Sequence, residues 1–249
     1  MSLFTIADLH LSLGHDHKMD VFGSRWQGYT EKIEKRWRAI VSPEDTVVIP
    51  GDISWAMNLS EATRDFAFLD ALPGRKLLGK GNHDFWWDTA TKCGKYFDEN
   101  GFSTLSLLYN NAIVAEDFIV TGTRGWFLEK YQQQTVGTVD YDKIMNRELL
   151  RLKIGLAAAK QLQKQGHADK EILVFLHFPP LWGEFVAEPF LTALREAGVR
   201  RAFFGHIHGN YTAPAKINAA GLELRLIASD FLDFTPHLIH PACINGDMH

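Results

Sequence analysis

The stretch Arg75-Lys76-Leu77-Leu78-Gly79-Lys80-Gly81-Asn82-His83-Asp84 decides how the rest of the chain is read. It opens as a short apolar run, Leu77 and Leu78, the buried end of a predicted strand. The run breaks at Gly79 and Gly81, where the backbone can turn sharply. Three polar groups of different chemistry follow at once: the amide oxygen of Asn82, the imidazole of His83 and the carboxylate of Asp84. Open α/β sheets carry their sites at such carboxyl ends of strands.

The same grammar recurs along the chain. Leu3–Ala7 reads as a buried strand running into Asp8-Leu9-His10. In an extended segment residues i and i+2 point the same way, so Asp8 and His10 are expected to address one point. Thr46–Ile49 is stopped by Pro50-Gly51 and delivers Asp52. Ile172–Leu176 ends in His177, and Ala202–Phe204 ends in Gly205-His206-Ile207-His208-Gly209. Each of these is compatible alone with a chance turn; five together are hard to explain that way. His15 and His17 repeat the Asp8/His10 spacing, but among Gly14, Asp16 and Lys18 they read as a solvated loop with no metal role.

Between the strands the period changes to that of helices. Residues 29–41 place Ile33, Trp37, Ile40 and Val41 on one face. A helix is predicted from Asn58, with Glu61 completing a capping box and Phe66, Leu69 and Leu72 facing inward. Further helices are predicted over 89–100, 140–165 and 188–197. Short strands are expected at 105–109, 112–115 and 118–121, with Asn110-Asn111 and Glu116-Asp117 as hairpin turns. Residues 122–137 read as a loop, 222–227 as a half-exposed strand, and the tail beyond Pro236 as irregular. The opening order βαβαβ with short connections predicts a largely parallel sheet. No repeat, low-complexity tract or linker interrupts the pattern, so one domain over residues 1–249 is expected.

The composition, 46% hydrophobic and 22% charged over 249 residues, is that of an ordinary globular chain with a large core. A net charge of −4 without a long basic run proposes neither nucleic acid nor a membrane surface as an electrostatic partner. Cys93 and Cys243 are far apart and form no CxxC pair, which reads as reduced thiols. With no apolar stretch of spanning length and chemistry-bearing residues starting at Asp8, a cytoplasmic protein is expected.

The pooled carboxylates, amide and imidazoles suit Zn²⁺, Fe or Mn²⁺. Without thiolates the set is not a structural zinc site. It is too large for one tetrahedral ion, and two metals sharing a carboxylate fit better. One catalytic metal with supporting histidines is the alternative.

In this order, Asp-x-His, Gly-Asp, Gly-Asn-His-Asp, a lone His after a strand and Gly-His-x-His resemble the calcineurin-like metallophosphoesterase family. The blocks span Asp8 to His208. The resemblance implies an α/β (α+β) fold, a four-layer αββα double β-sandwich with mixed sheets flanked by helices. It implies two metals (Mn, Fe or Zn) at the sheet ends. Asp8, His10 and His208 would hold one, Asn82, His177 and His206 the other, and Asp52 would bridge them. The implied activity is hydrolysis of phosphoric mono- or diesters by in-line attack of a metal-bridging hydroxide. His83 would aid the leaving group as proton donor or charge stabiliser, oriented by Asp84. Two departures stand out. The second block reads Gly-Asp-Ile-Ser-Trp, without the further Asp-Arg of the family's protein phosphatases, and Asp84 stands where many relatives carry Glu.

For the substrate, a small phosphate ester, Trp55, Trp86, Trp87, Trp126 and Trp182 are candidates for an aromatic wall. Arg124, Arg25 and Lys80 are candidate phosphate contacts. A nuclease relative is the alternative among enzymes. A non-catalytic scaffold resembling the retromer subunit is the alternative of another class, although here every expected ligand position is filled.

Overall fold

The computed structural model describes residues 1–14, 19–126, 141–219 and 221–241. His15 and His17 lie outside the described residues. Two sheets face each other. The first has the order β13(His237–Ile239)-β1(Leu3–Thr5)-β2(Thr46–Ile49)-β3(Arg75–Leu78)-β4(Leu105–Leu107). In it β1 to β4 run parallel and β13 is antiparallel to β1. The second has the order β11(Lys216–Ala219)-β12(Leu222–Leu226)-β10(Arg201–Phe204)-β7(Glu171–Leu176)-β6(Phe118–Thr123)-β5(Ala112–Ala115). Its four inner strands are parallel and its edge strands β11 and β5 antiparallel. A small hairpin, β8(Leu181–Trp182) with β9(Phe185–Val186), follows His177.

Three apolar layers hold these elements. Between the sheets, Leu3, Val48 and Leu77 meet Val120, Leu173, Phe175 and Phe203. The outer face of the first sheet (Phe4, Val47, Ile49, Leu78) is covered by α1(Tyr29–Ile40), α2(Thr63–Ala71) and α3(Ala90–Asn100) through Ile33, Trp37, Phe66, Leu69 and Phe97. The outer face of the second (Ile172, Val174, Leu176, Ala202, Phe204) is covered by α4(Tyr141–Lys164) and α5(Glu188–Glu196) through Leu152, Leu156, Phe190 and Leu194. Strands buried on both faces have no reason to alternate polar and apolar residues, which is why Val47-Val48-Ile49 and Leu173–Leu176 are continuous apolar runs. Each such side chain, fully buried, contributes roughly 1.5–3 kcal/mol. The layers are therefore helices, sheet, sheet, helices, as the resemblance implied. No helix among the described residues is long and apolar enough to cross a membrane.

Three expectations need correction. Asn110-Asn111 is not a hairpin turn: β4 pairs in parallel with β3 in the first sheet, while β5 pairs with β6 in the second, so this connection passes between sheets. Asn58 and Glu61 do form their hydrogen bonds, Glu61 N–H to Asn58 Oδ1 at 3.1 Å, but on turns that precede a helix starting only at Thr63. The tail is not irregular throughout, since His237–Ile239 pairs with Leu3–Thr5. Lys216–Ala219, with no apolar run of its own, becomes a strand by pairing with Leu222–Arg225.

Candidate metal centre

The carboxyl ends of β1, β2, β3, β7 and β10 converge where the two sheets meet. Asp8 and His10 do not lie on an extended segment, as the i, i+2 argument assumed. Asp8 (φ 60°), His10 (47°), Asp52 (50°) and His206 (69°) all adopt the left-handed conformation. That region is unfavourable for residues with a Cβ and persists only where surrounding structure imposes it. Here the backbone does so. Asp8 N–H donates to Gly51 O at 3.0 Å, His10 N–H to Asp52 O at 2.9 Å, and Leu11 N–H to Ile53 O at 2.9 Å. The Ser229 hydroxyl donates to Asp8 O at 2.6 Å.

Two glycines are required by close approach rather than flexibility. A Cβ on Gly81 would run into the Asp52 carboxylate, and one on Gly205 into the Asp8 carboxylate.

Two groups of donor atoms result, Asp8, His10 and His208 in one and Asp52, His177 and His206 in the other. Within each group the atoms lie within 4.8 Å of one another. Asp52 joins them. Its Oδ2 lies 3.7 Å from His10 Nε2 and 3.5 Å from His177 Nε2, while its Oδ1 accepts the His83 N–H at 2.8 Å. Asn82 Oδ1 sits 2.6 Å from His177 Nε2. All seven donor residues proposed from the sequence are thus brought to one place.

The electrostatics fit cations. Burial, and next the charge of Asp52, push the Asp8 carboxyl well above its ordinary range. Burial, and next the charge of Asp84, do the same to Asp52. Burial and the neighbouring His206 hold His177 far below its ordinary value, and burial with His208 takes His206 to about 3. His177 and His206 are therefore neutral, the form that binds metal, and the carboxylates repel each other until positive charge arrives. His208 Nδ1 is 2.8 Å from Asp230 Oδ1. The carboxylate assigns the ring proton to Nδ1, leaving the Nε2 lone pair 3.2 Å from His10 Nε2. His177 Nδ1 is buried with no hydrogen bond among the described residues. Lone pairs crowded in this way fit a metal pair.

The structure reassigns several neighbours. Asp84 does not orient His83. Its buried carboxylate accepts the N–H groups of Gly81, Asp52, Ile53 and Ser54 and the Trp86 indole N–H, so it shapes the loop that carries Asp52. Trp86 is no part of a substrate wall: it is 2% exposed and packs edge-on to Phe66 at 4.8 Å. Trp87 is also buried, and Trp182 packs on Phe204. Trp55 does face the centre, stacked on His10 at 5.0 Å and 4.3 Å from the His83 ring. Arg25 lies 3.7 Å from Asp233 and over Tyr211. Arg124 lies beside the centre, where its charge lowers Asp52, and its guanidinium faces Trp126.

Two contributors escaped the sequence reading. Asp230 is fully buried and also accepts the Gly209 N–H at 3.0 Å, yet it follows no Gly-flanked strand end. Burial pushes its carboxyl up, but the bonds from His208 and Gly209 outweigh this and hold it low. Trp26 lies edge-on to His10 at 5.9 Å and to His208 at 5.6 Å.

The chain is structurally similar to phosphopantetheinyl hydrolase (PptH) from Mycobacterium tuberculosis, with a TM-score of 0.54, 13% identity and coverage of 99% of this chain and 98% of that one. It is similar to TT1561 of Thermus thermophilus, with a TM-score of 0.53, 9% identity and coverage of 96% and 97%. AQ665 from Aquifex aeolicus aligns over 95% of both chains at 16% identity and a TM-score of 0.49. At these identities the likeness to the first two is one of fold. No curated protein sequence matches the chain. The family model for calcineurin-like phosphoesterase matches residues 1–210, and with the donor groups described above this places the chain in the calcineurin-like phosphoesterase family.

Proposed function

We propose that the chain hydrolyses a small phosphate ester at a dinuclear metal centre. Asp8, His10 and His208 would hold one ion, Asn82, His177 and His206 the other, with Asp52 shared. The observation that carries this reading is Asp52 Oδ2, set between His10 and His177 while Oδ1 is tied to the His83 N–H. One oxygen is thereby aimed at both donor groups. The metals, Mn, Fe or Zn, supply Lewis acidity and an activated water at neutral pH when bound.

The protein's own groups do the positioning. The hydrogen-bonded strand-end loops pre-set the donors, so little reorganisation accompanies binding. Asp84 gathers four backbone N–H groups and thereby fixes the Asp52 turn. Its neighbour His83 borders the centre, its ring 5.6 Å from that of His10 and flanked by Trp55. In this reading His83 holds a proton near the leaving oxygen, and Trp55 rather than Asp84 restricts its ring. The wild-type chain and Asp52→Asn, stripped of metal and reloaded with Mn²⁺, are compared on a chromogenic phosphomonoester and the matching diester. Metal-dependent turnover by wild type and its loss in Asp52→Asn are expected, and the faster ester sets the substrate class. No turnover of either ester by the fully loaded wild-type protein refutes the reading.

A further inference from the structure

Beside the centre lies a group of cations that ligand binding does not use. Glu148, on α4, is fully buried. Its Oε1 accepts from Arg151 at 2.6 Å, with Arg147 Nε at 3.4 Å and Arg124 at 3.5 Å. Three guanidiniums around one carboxylate leave positive charge in excess. Lys80 stands within electrostatic range of Arg124 and Arg151, and of the opposing charge of Asp84. This happens in a chain of net charge −4, so the patch is not a general bias of composition.

The cluster is built rather than scattered. Aromatic faces separate its members: Lys80 over Trp87 at 6.0 Å, Trp87 against Tyr109 at 5.2 Å, Arg151 over Tyr109 at 5.5 Å, and Arg124 over Trp126 at 5.1 Å. Two buried polar atoms in it, Glu148 Oε2 and Arg124 Nε, have no hydrogen-bond partner among the described residues. It also adjoins the centre. Arg124 O accepts the His177 N–H at 3.2 Å, and Lys80 precedes Asn82 by two residues.

We propose that Lys80, Arg124 and Arg151, held in place by Glu148, form a subsite for a second phosphate on the substrate, so that the enzyme prefers bisphosphorylated small molecules. A phosphate dianion supplies acceptor oxygens that match guanidinium donors, and it neutralises the excess charge. Glu148 is a positioning residue here, because a buried carboxylate at the root of the arginines fixes their donors without occupying them all. The inference rests on the phosphoesterase reading of the adjoining centre.

The test compares propyl phosphate with 1,3-propanediol bisphosphate as substrates of the Mn²⁺-loaded protein, by phosphate release. The wild-type kcat/KM for the bisphosphate is expected to exceed that for the monophosphate at least tenfold. The ratio should fall towards one in Arg151→Gln and in Lys80→Gln, mainly through KM. A wild-type ratio of one or below, or a ratio that neither substitution moves, overturns the subsite. If neither ester is turned over, the phosphoesterase reading fails, and calorimetric binding of the bisphosphate decides the subsite separately. Binding weakened tenfold by Arg151→Gln upholds it, and undetectable binding, or binding that the substitution does not alter, overturns it.

Discussion

Replacing Asp230 by Asn should weaken one metal site and spare the other. The side chain is fully buried and accepts two hydrogen bonds, from His208 Nδ1 at 2.8 Å and Gly209 N at 3.0 Å. Asparagine keeps the volume but offers one acceptor oxygen and one NH₂. Whichever way the amide turns, one of the two N–H groups then faces a donor. The negative charge that makes the His208 ring a better ligand is lost as well. Carboxylates behind metal-bound histidines typically contribute 10–100-fold in metal affinity, roughly 1.4–2.7 kcal/mol. Calorimetric titration of the metal-free protein with Mn²⁺ should show two binding events in the wild type. In Asp230→Asn the event assigned to Asp8, His10 and His208 should weaken by about that factor, while the other stays within twofold. Equal affinities in wild type and variant would refute the reasoning, since His208 would then need no orienting partner.

Gly205→Ala places a methyl group against the Asp8 carboxylate and should lower metal content, measured by elemental analysis of purified protein, while circular dichroism stays native. His83→Ala should retain both metals and lose turnover most on esters with poor leaving groups, as a series of phenyl phosphates of graded leaving-group pKa would show; a uniform loss across the series counts against it. Lys76 is fully buried, with Nζ donating to Leu72 O and to Thr104 Oγ1 at 3.0 Å, and burial lowers its pKa from 10.5 to about 8. Between those values the unfolded chain binds more protons than the folded one, so stability should rise as pH increases from about 8 to 10.5, by up to roughly 3 kcal/mol. Lys76→Met should abolish that rise in urea melts taken across the window; a rise that persists in the variant assigns it to another group.

The sequence alone determined the donor inventory and the framework that delivers it. Apolar runs too continuous for half-exposed strands, stopped by Gly or Pro and followed by Asp, Asn or His, identify strand ends because backbone sterics and burial act locally. The helices at 29–41, 89–100, 140–165 and 188–197 were legible to within a residue or two for the same reason, since period and end signals are properties of neighbouring residues. What the tertiary structure decided are the relations across the sheets. Asp8 and His206, 198 residues apart, meet because β1 and β10 end at the same edge of the sandwich. The left-handed conformations of Asp8, His10, Asp52 and His206 are imposed by hydrogen bonds from other segments, so local pattern carries no sign of them. Asp84 turned from an orienter of His83 into the anchor of the Asp52 loop, and Trp86 from a substrate contact into core, because burial depends on which elements pack above them. Asp230 acquired its place behind His208 through a contact 22 residues away in the chain, where neither spacing nor flanking glycine marks it.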